Sequence, residues 1–115
     1  MQLCCLRSTG GETEGIMSKS IRTPDADDFC DAILSLRSRE ECYRFFQDVC
    51  TVNELASLSQ RFAVARMLTR KKTYLEIAEK TGASTATISR VNRALVYGSD
   101  GYSMVLDRMG NAETD

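Results

Sequence analysis

Residues 73–95 read TYLEIAEKTGASTATISRVNRAL and contain the most informative local signals of the chain. Its first four residues have the pattern of a capping box, which satisfies the first free amides of a helix. Gly82 then marks a turn, because glycine adopts at low cost the positive φ that ends a helix. Ser84 has the right chemistry to cap a second helix. The stretch therefore predicts a helix-turn-helix.

The two helices of this motif are predicted to bury apolar faces at helical spacing. The buried positions of the first helix are predicted to be Leu75, Ile77, Ala78 and Thr81. Those of the second are predicted to be Ile88, Val91 and Leu95. A small residue at position 78 suits two helices that cross closely.

The rest of the chain also has helical spacing and lacks the alternation of β-strands, so the fold class is all-α. Residues 23–25 read Thr-Pro-Asp, a capped helix start with proline at the first helical position. Residues 38–41 and 51–54 have the capping-box pattern. An apolar stripe on the helix after residue 54 is predicted to consist of Leu55, Leu58, Phe62, Ala65 and Leu68.

Charge is unevenly distributed along the 115 residues, although the net charge is only −1. Residues 61–93 contain eight basic and two acidic residues, whereas residues 1–60 and 94–115 are acidic overall. A basic block between acidic flanks indicates a surface that binds a polyanion. Charge alone favours a solvated helix face, so the inference depends on the helix-turn-helix beside it.

The second helix of such a motif enters the major groove of DNA. Short side chains in its first turn let the helix approach base edges, and hydroxyl and methyl groups can contact bases there. Basic side chains farther along and just before the motif suit phosphate contacts. The predicted DNA-binding residues are Thr85, Ala86, Thr87, Ser89, Arg90, Arg93, Lys71 and Lys72.

Several function classes are disfavoured by the composition. The chain has no histidine, and its five cysteines form no C-x-x-C pair. We therefore predict no enzymatic activity, no bound metal and no structural disulfide, with Cys30, Cys42 and Cys50 acting as small buried apolar residues. No apolar run reaches the roughly 20 residues of a transmembrane helix, and residues 1–16 lack a secretory-signal pattern. A cytoplasmic protein without membrane attachment is expected.

The predicted organisation is one domain over residues 18–110 between a disordered extension, residues 1–17, and a frayed tail, residues 111–115. Met17, just before the first organised segment, is a candidate initiator. The preferred function is a sequence-specific, DNA-binding transcription regulator acting on double-stranded DNA. The alternative is a helical protein-interaction module in which the helix-turn-helix is architectural; salt-dependent retention on DNA or heparin distinguishes the two.

The segments LSQR at 58–61, TYLE at 73–76 and GASTATISR at 82–90 resemble the Trp repressor superfamily, most closely its YerC/YecD-type branch. The resemblance covers residues 18–110. It implies a six-helix fold, an intertwined homodimer and operator binding, with repression the expected outcome. Large apolar residues of the N-terminal half fit a dimer, because a core of this size would leave some of them exposed. They are Phe29, Ile33, Leu34, Leu36, Phe45, Phe46 and Val49.

The resemblance also implies a ligand site. Trp repressor holds its tryptophan corepressor between two arginines, which correspond to Arg61 and Arg90 in this chain. Its glycine and serine beside the ligand correspond here to Val91 and Ala94. Because valine fills space that the indole needs, tryptophan is expected to bind poorly, and no cofactor is predicted. Another small-molecule effector is compatible with the sequence, as is a salt bridge from Arg61.

Overall fold

A computed structural model of the chain describes residues 21–110, so the predicted terminal segments 1–17 and 111–115 lie outside the described residues. The described part is helical and contains no strand, which confirms the all-α prediction. Its six helices are α1 (Pro24–Leu34), α2 (Arg39–Val49), α3 (Val52–Thr69), α4 (Tyr74–Thr81), α5 (Thr85–Tyr97) and α6 (Gly101–Arg108). The chain divides after Phe46 into two compact units. We call them the N-terminal unit, which holds α1 and most of α2, and the helix-turn-helix unit, which holds α3 to α6.

Helix starts follow the sequence rules closely. The Thr73 hydroxyl accepts a hydrogen bond from the Glu76 amide at 3.1 Å, and the Glu76 carboxylate accepts one from the Thr73 amide at 2.9 Å. Thr51 begins α3 with the same reciprocal pair. Each cap is worth about 1 kcal/mol, because it satisfies amides that no helical carbonyl can reach.

The capping box predicted at residues 38–41 is only half formed. The Ser38 hydroxyl accepts from the Glu41 amide at 3.1 Å, as expected. The Glu41 carboxylate, however, accepts from the Arg37 amide at 2.8 Å, one residue farther back than a capping box requires. The prediction of a full box was wrong because the chain before Ser38 turns an earlier amide toward the same carboxylate.

The core lies within the helix-turn-helix unit, where α3 packs against α4, α5 and α6. One buried cluster joins α3, α4, α5 and the turn between α4 and α5. It consists of Val64, Ala65, Ile77, Ala83, Ile88 and Val91. Leu106 of α6 is buried as well. Each buried valine, isoleucine or leucine contributes roughly 1.5–3 kcal/mol.

Two core predictions were wrong for geometric reasons. Leu75 is 70% exposed, because it lies two residues and thus about 200° around the helix from buried Ile77. On α3 the predicted stripe gave too much weight to Leu58, which is 49% exposed, and missed Val64, which is fully buried. A helix with neighbours on several sides buries more than one stripe, so a single-face pattern underestimates its core.

The N-terminal unit has no comparable core, since neither α1 nor α2 contains a buried residue. Its aromatic residues contact one another: the ring centroids of Phe29 and Phe45 lie 5.8 Å apart, and those of Phe45 and Phe46 lie 5.6 Å apart. Ile33 nevertheless remains 37% exposed and Leu34 80% exposed. The expectation that some of the large apolar residues of this half are exposed is confirmed.

The cysteine prediction needs correction. Cys30 is exposed, while Cys42 and Cys50 are half-buried, so none of the three is a core residue. The cause is that the helices carrying Cys30 and Cys42 bury no residue. All three are free thiols. Over residues 21–110, no group of cysteine and acidic side chains has the arrangement of a metal site, and no helix has the length and hydropathy to cross a bilayer.

Candidate nucleic-acid interface

The turn between α4 and α5 is held in one conformation by local hydrogen bonds. Gly82 has φ +76°, the left-handed conformation predicted for it, and its amide donates to the Ala78 carbonyl at 2.9 Å. The Thr81 hydroxyl donates to the Ile77 carbonyl at 2.8 Å and accepts from the Ala83 amide at 3.1 Å. With Ala83 buried in the core, the turn is fixed at both its entrance and its exit.

A residue outside the helix-turn-helix stretch also holds this turn. The Gln60 side chain, on α3, donates through Nε2 to the Thr81 carbonyl at 3.0 Å. The bond connects positions 21 residues apart and is partly buried. No sequence periodicity signals such a contact, because it depends on how α3 crosses α4.

The first turn of α5 is capped and faces solvent. The Ser84 hydroxyl accepts from the Thr87 amide at 3.1 Å and donates to the Thr87 hydroxyl at 3.2 Å. Thr85 and Ala86 are exposed, as is Ser89 in the next turn. Thr87 is half-buried and its hydroxyl is engaged by the cap. Thr85, Ala86 and Ser89 are therefore the most accessible polar and methyl groups of this helix end.

Four basic side chains predicted to contact phosphate are exposed. Arg90 and Arg93 lie on α5, and Lys71 and Lys72 lie in the link just before α4. These positive charges attract anions such as phosphate, and so do the free amides at the N-terminus of α5.

Lys71 occupies a backbone conformation that usually belongs to glycine. Its φ is +65°, and it follows α3 in a Schellman arrangement. In that arrangement the Lys72 amide donates to the Met67 carbonyl at 3.1 Å and the Lys71 amide to the Leu68 carbonyl at 3.0 Å. A lysine in this region costs about 1–2 kcal/mol relative to a relaxed conformation. The link therefore carries positive charge at a position where glycine would be more stable.

The far end of α5 is also sterically constrained. A Cβ atom at Gly98 would clash with the carbonyl oxygen of Ala94, so the helix ends where only glycine fits. Asp100 then adopts φ +66° before α6 and makes no side-chain cap bond. Helix α5 thus runs from the Ser84 cap, two residues after Gly82, to Gly98.

The residues of the predicted ligand site do not form one cavity. Arg61 is half-buried on α3, Arg90 is exposed, and Val91 is only 1% exposed within the core. Ala94 instead lines a groove of about 560 Å³ between α3, α5 and α6, and neither arginine lines it. The groove is lined mostly by apolar groups, and its lining residues are Phe62, Ala94, Ser99, Gly101, Tyr102, Met104 and Val105.

Two capped helices around a left-handed glycine, the second with a buried inner face and a basic, exposed outer face, define a helix-turn-helix protein. The family model described as Trp repressor protein matches residues 25–110, and the chain belongs to this family. It is 56% identical over 95 residues to YerC, an uncharacterized protein of Bacillus subtilis (strain 168), covering 83% of this chain and 91% of YerC.

Solved structures agree with this placement. A TrpR-like protein from Eubacterium eligens ATCC 27750 is 60% identical with a TM-score of 0.78, covering 81% of this chain and 96% of the other. A candidate Trp repressor from Staphylococcus aureus is 52% identical with a TM-score of 0.79, covering 84% and 97%. The resemblance inferred from residues 58–90 is therefore confirmed at the level of family and fold.

Proposed function

We propose that this protein is a sequence-specific, DNA-binding transcription regulator of the cytoplasm, acting as a repressor and not as an enzyme. The observation that carries the proposal is the capped, solvent-exposed first turn of α5, mounted on a buried core and flanked by exposed basic residues. This is the arrangement that a recognition helix needs in order to enter a major groove. Membership of a regulator family supports the same conclusion.

The residues divide into two roles. Thr85, Ala86 and Ser89 contact base edges, where their hydroxyl and methyl groups discriminate between bases, and Thr87 contributes chiefly its methyl group. The phosphate contacts come from Arg90, Arg93, Lys71 and Lys72, which position the helix without reading sequence.

Selection of bound duplexes from random DNA, followed by fluorescence anisotropy across a salt series, tests this division. Arg93→Ala should weaken binding about equally on selected and scrambled duplexes and reduce the salt slope by about one. Thr85→Ala should cost about 1–3 kcal/mol on the selected duplex only. If neither variant changes binding, α5 is not the DNA surface and the protein-interaction alternative is correct.

The active form is a homodimer in this proposal. Support comes from the N-terminal unit, whose helices contain no fully buried residue, and from the largely apolar groove beside α6, since apolar surface of this kind favours a partner. A palindromic selected site is then expected, because a two-fold dimer binds two equivalent half-sites. Sedimentation equilibrium at micromolar concentration should give twice 12.8 kDa, and a species at 12.8 kDa would contradict the dimer.

DNA binding is expected to need no tryptophan. Val91 packs in the core beside Ile88, and the family resemblance puts this side chain where the corepressor's indole would need space. Calorimetry with L-tryptophan should show no binding at tens of micromolar for the natural chain. Val91→Gly removes the obstacle and serves as the comparison; binding by the natural chain itself would mean that the site relaxes around Val91.

A further inference from the structure

The Gln60 side chain links helix α3 to the turn of the helix-turn-helix by a hydrogen bond. Its side-chain amide is half-buried and donates to the carbonyl of Thr81, the last residue of α4. The last carbonyls of a helix have no partner within the helix, so each must be satisfied from outside it. Gln60 supplies that partner from another helix.

The bond acts at the point where the chain is easiest to deform. The next residue, Gly82, has access to far more φ/ψ space than any other residue type. Its virtual Cβ would lie 4.0 Å from Gln60 Nε2, so the glycine is not required for space, and its role is conformational. By holding the Thr81 carbonyl, Gln60 selects one orientation of the peptide that enters Gly82 and thus one direction for α5.

We propose that Gln60 is a positioning residue for base recognition, acting through the turn and making no contact with DNA itself. This inference rests on the proposed DNA-binding function. Direct readout requires side chains held within about 0.5 Å of their productive positions. Phosphate contacts tolerate more variation, because charge attraction is less directional. Loss of the hydrogen bond from Gln60 to Thr81 should therefore reduce specific DNA binding more than non-specific DNA binding.

The test uses Gln60→Met, which keeps the length and loses the donor, and Gln60→Glu, whose carboxylate cannot donate to a carbonyl. Gln47→Met, at an exposed position of α2, is the matched control. Anisotropy should show about a tenfold loss of affinity for the selected duplex with Gln60→Met, and a larger loss with Gln60→Glu. Affinity for a scrambled duplex and the salt slope should stay at the natural values. Gln47→Met should leave both affinities unchanged.

A second readout does not involve DNA. Hydrogen exchange of the Gly82 and Ala83 amides should become faster in both Gln60 variants. Amides of the core helices should remain protected and serve as the internal control. Equal losses on both duplexes, or natural affinity together with unchanged exchange, would overturn the inference. If the natural chain binds no duplex specifically, the proposed function fails. Faster exchange at Gly82 and Ala83 in the variants would still show that the Gln60 hydrogen bond holds the turn.

Discussion

The N-terminal unit and the helix-turn-helix unit use the same helix-start chemistry but differ in burial. Thr23 caps α1 as Thr73 caps α4, yet Ile33 of α1 is 37% exposed whereas Ile88 of α5 is fully buried. Caps and propensity make individual helices, while burial of apolar surface makes a unit that is stable by itself. The helix-turn-helix unit therefore carries its own core, whereas the N-terminal helices leave apolar side chains exposed.

The largest expected effect is on the free energy of unfolding, when an isoleucine is shortened to alanine in each of the two units. Ile88→Ala should lower the free energy of unfolding by about 2–5 kcal/mol, because it leaves a cavity in the core. Ile33→Ala should cost less than about 1 kcal/mol in dilute protein. Urea denaturation followed by circular dichroism measures both.

Protein concentration sharpens this contrast. If a second copy covers the N-terminal helices, the loss of unfolding free energy caused by Ile33→Ala should grow as the protein concentration is raised. The loss caused by Ile88→Ala should not change with protein concentration. Equal costs for the two variants at every concentration would show that the two regions do not differ as described.

The next effect concerns glycine at the end of α5. Gly98→Ala should cost about 1–3 kcal/mol, because the new methyl group meets the Ala94 carbonyl and the backbone has to shift. Gly101→Ala is the control, since nothing lies within 4 Å of a Cβ there, and it should be neutral or slightly stabilising. Thermal unfolding of both variants distinguishes steric need from mere helix propensity; equal midpoints would argue against the clash.

Helix caps provide a smaller effect, expected in both regions. Thr23→Ala and Thr73→Ala each remove a hydroxyl acceptor from a helix start, at a cost of about 1 kcal/mol to the helix concerned. Only Thr73→Ala should lower the unfolding midpoint of the helix-turn-helix unit, because α4 is part of that core. Hydrogen exchange resolved by residue reports the two helices separately, and a similar loss of protection around Ile77 in Thr23→Ala would contradict the independence of the core.

The smallest effect has the opposite sign. Lys71→Gly should stabilise the chain by up to about 1 kcal/mol, because glycine adopts φ +65° without strain. The same change removes a proposed phosphate contact and should weaken DNA binding at low salt. Lys72→Ala removes a neighbouring charge without relieving strain, so it should weaken binding with no gain in stability; a gain there would point to charge repulsion as the cause.

The sequence predicted the features that depend on neighbouring residues. The caps at Thr51 and Thr73, the left-handed Gly82 and the buried Ile88 all follow from local rules, and the structure has them. The family resemblance rested on the same stretch, because the turn and its caps are its most specific part.

Features set by packing between distant residues were not predictable in this way. The Gln60 bond spans 21 residues, and a hydrogen bond of that kind has no period. The exposure of Cys30 reflects a helix without buried residues, a property of the unit and not of the cysteine. Lys71 in a left-handed conformation contradicts residue preference, so a preference-based prediction places glycine there instead.

The Gly82 turn before α5 and the Gly98 cap after it also make the helix intolerant of changes in length. An inserted or deleted residue rotates everything beyond it by about 100° and moves it by about 1.5 Å. Ser84, placed by the Gly82 turn, fixes where the helix begins and Gly98 where it ends, so neither boundary can slide to absorb the shift. Among working relatives, α5 should therefore keep its 13 residues while substitutions accumulate on its outer face. Insertions and deletions are expected to be confined to segments outside the two glycines.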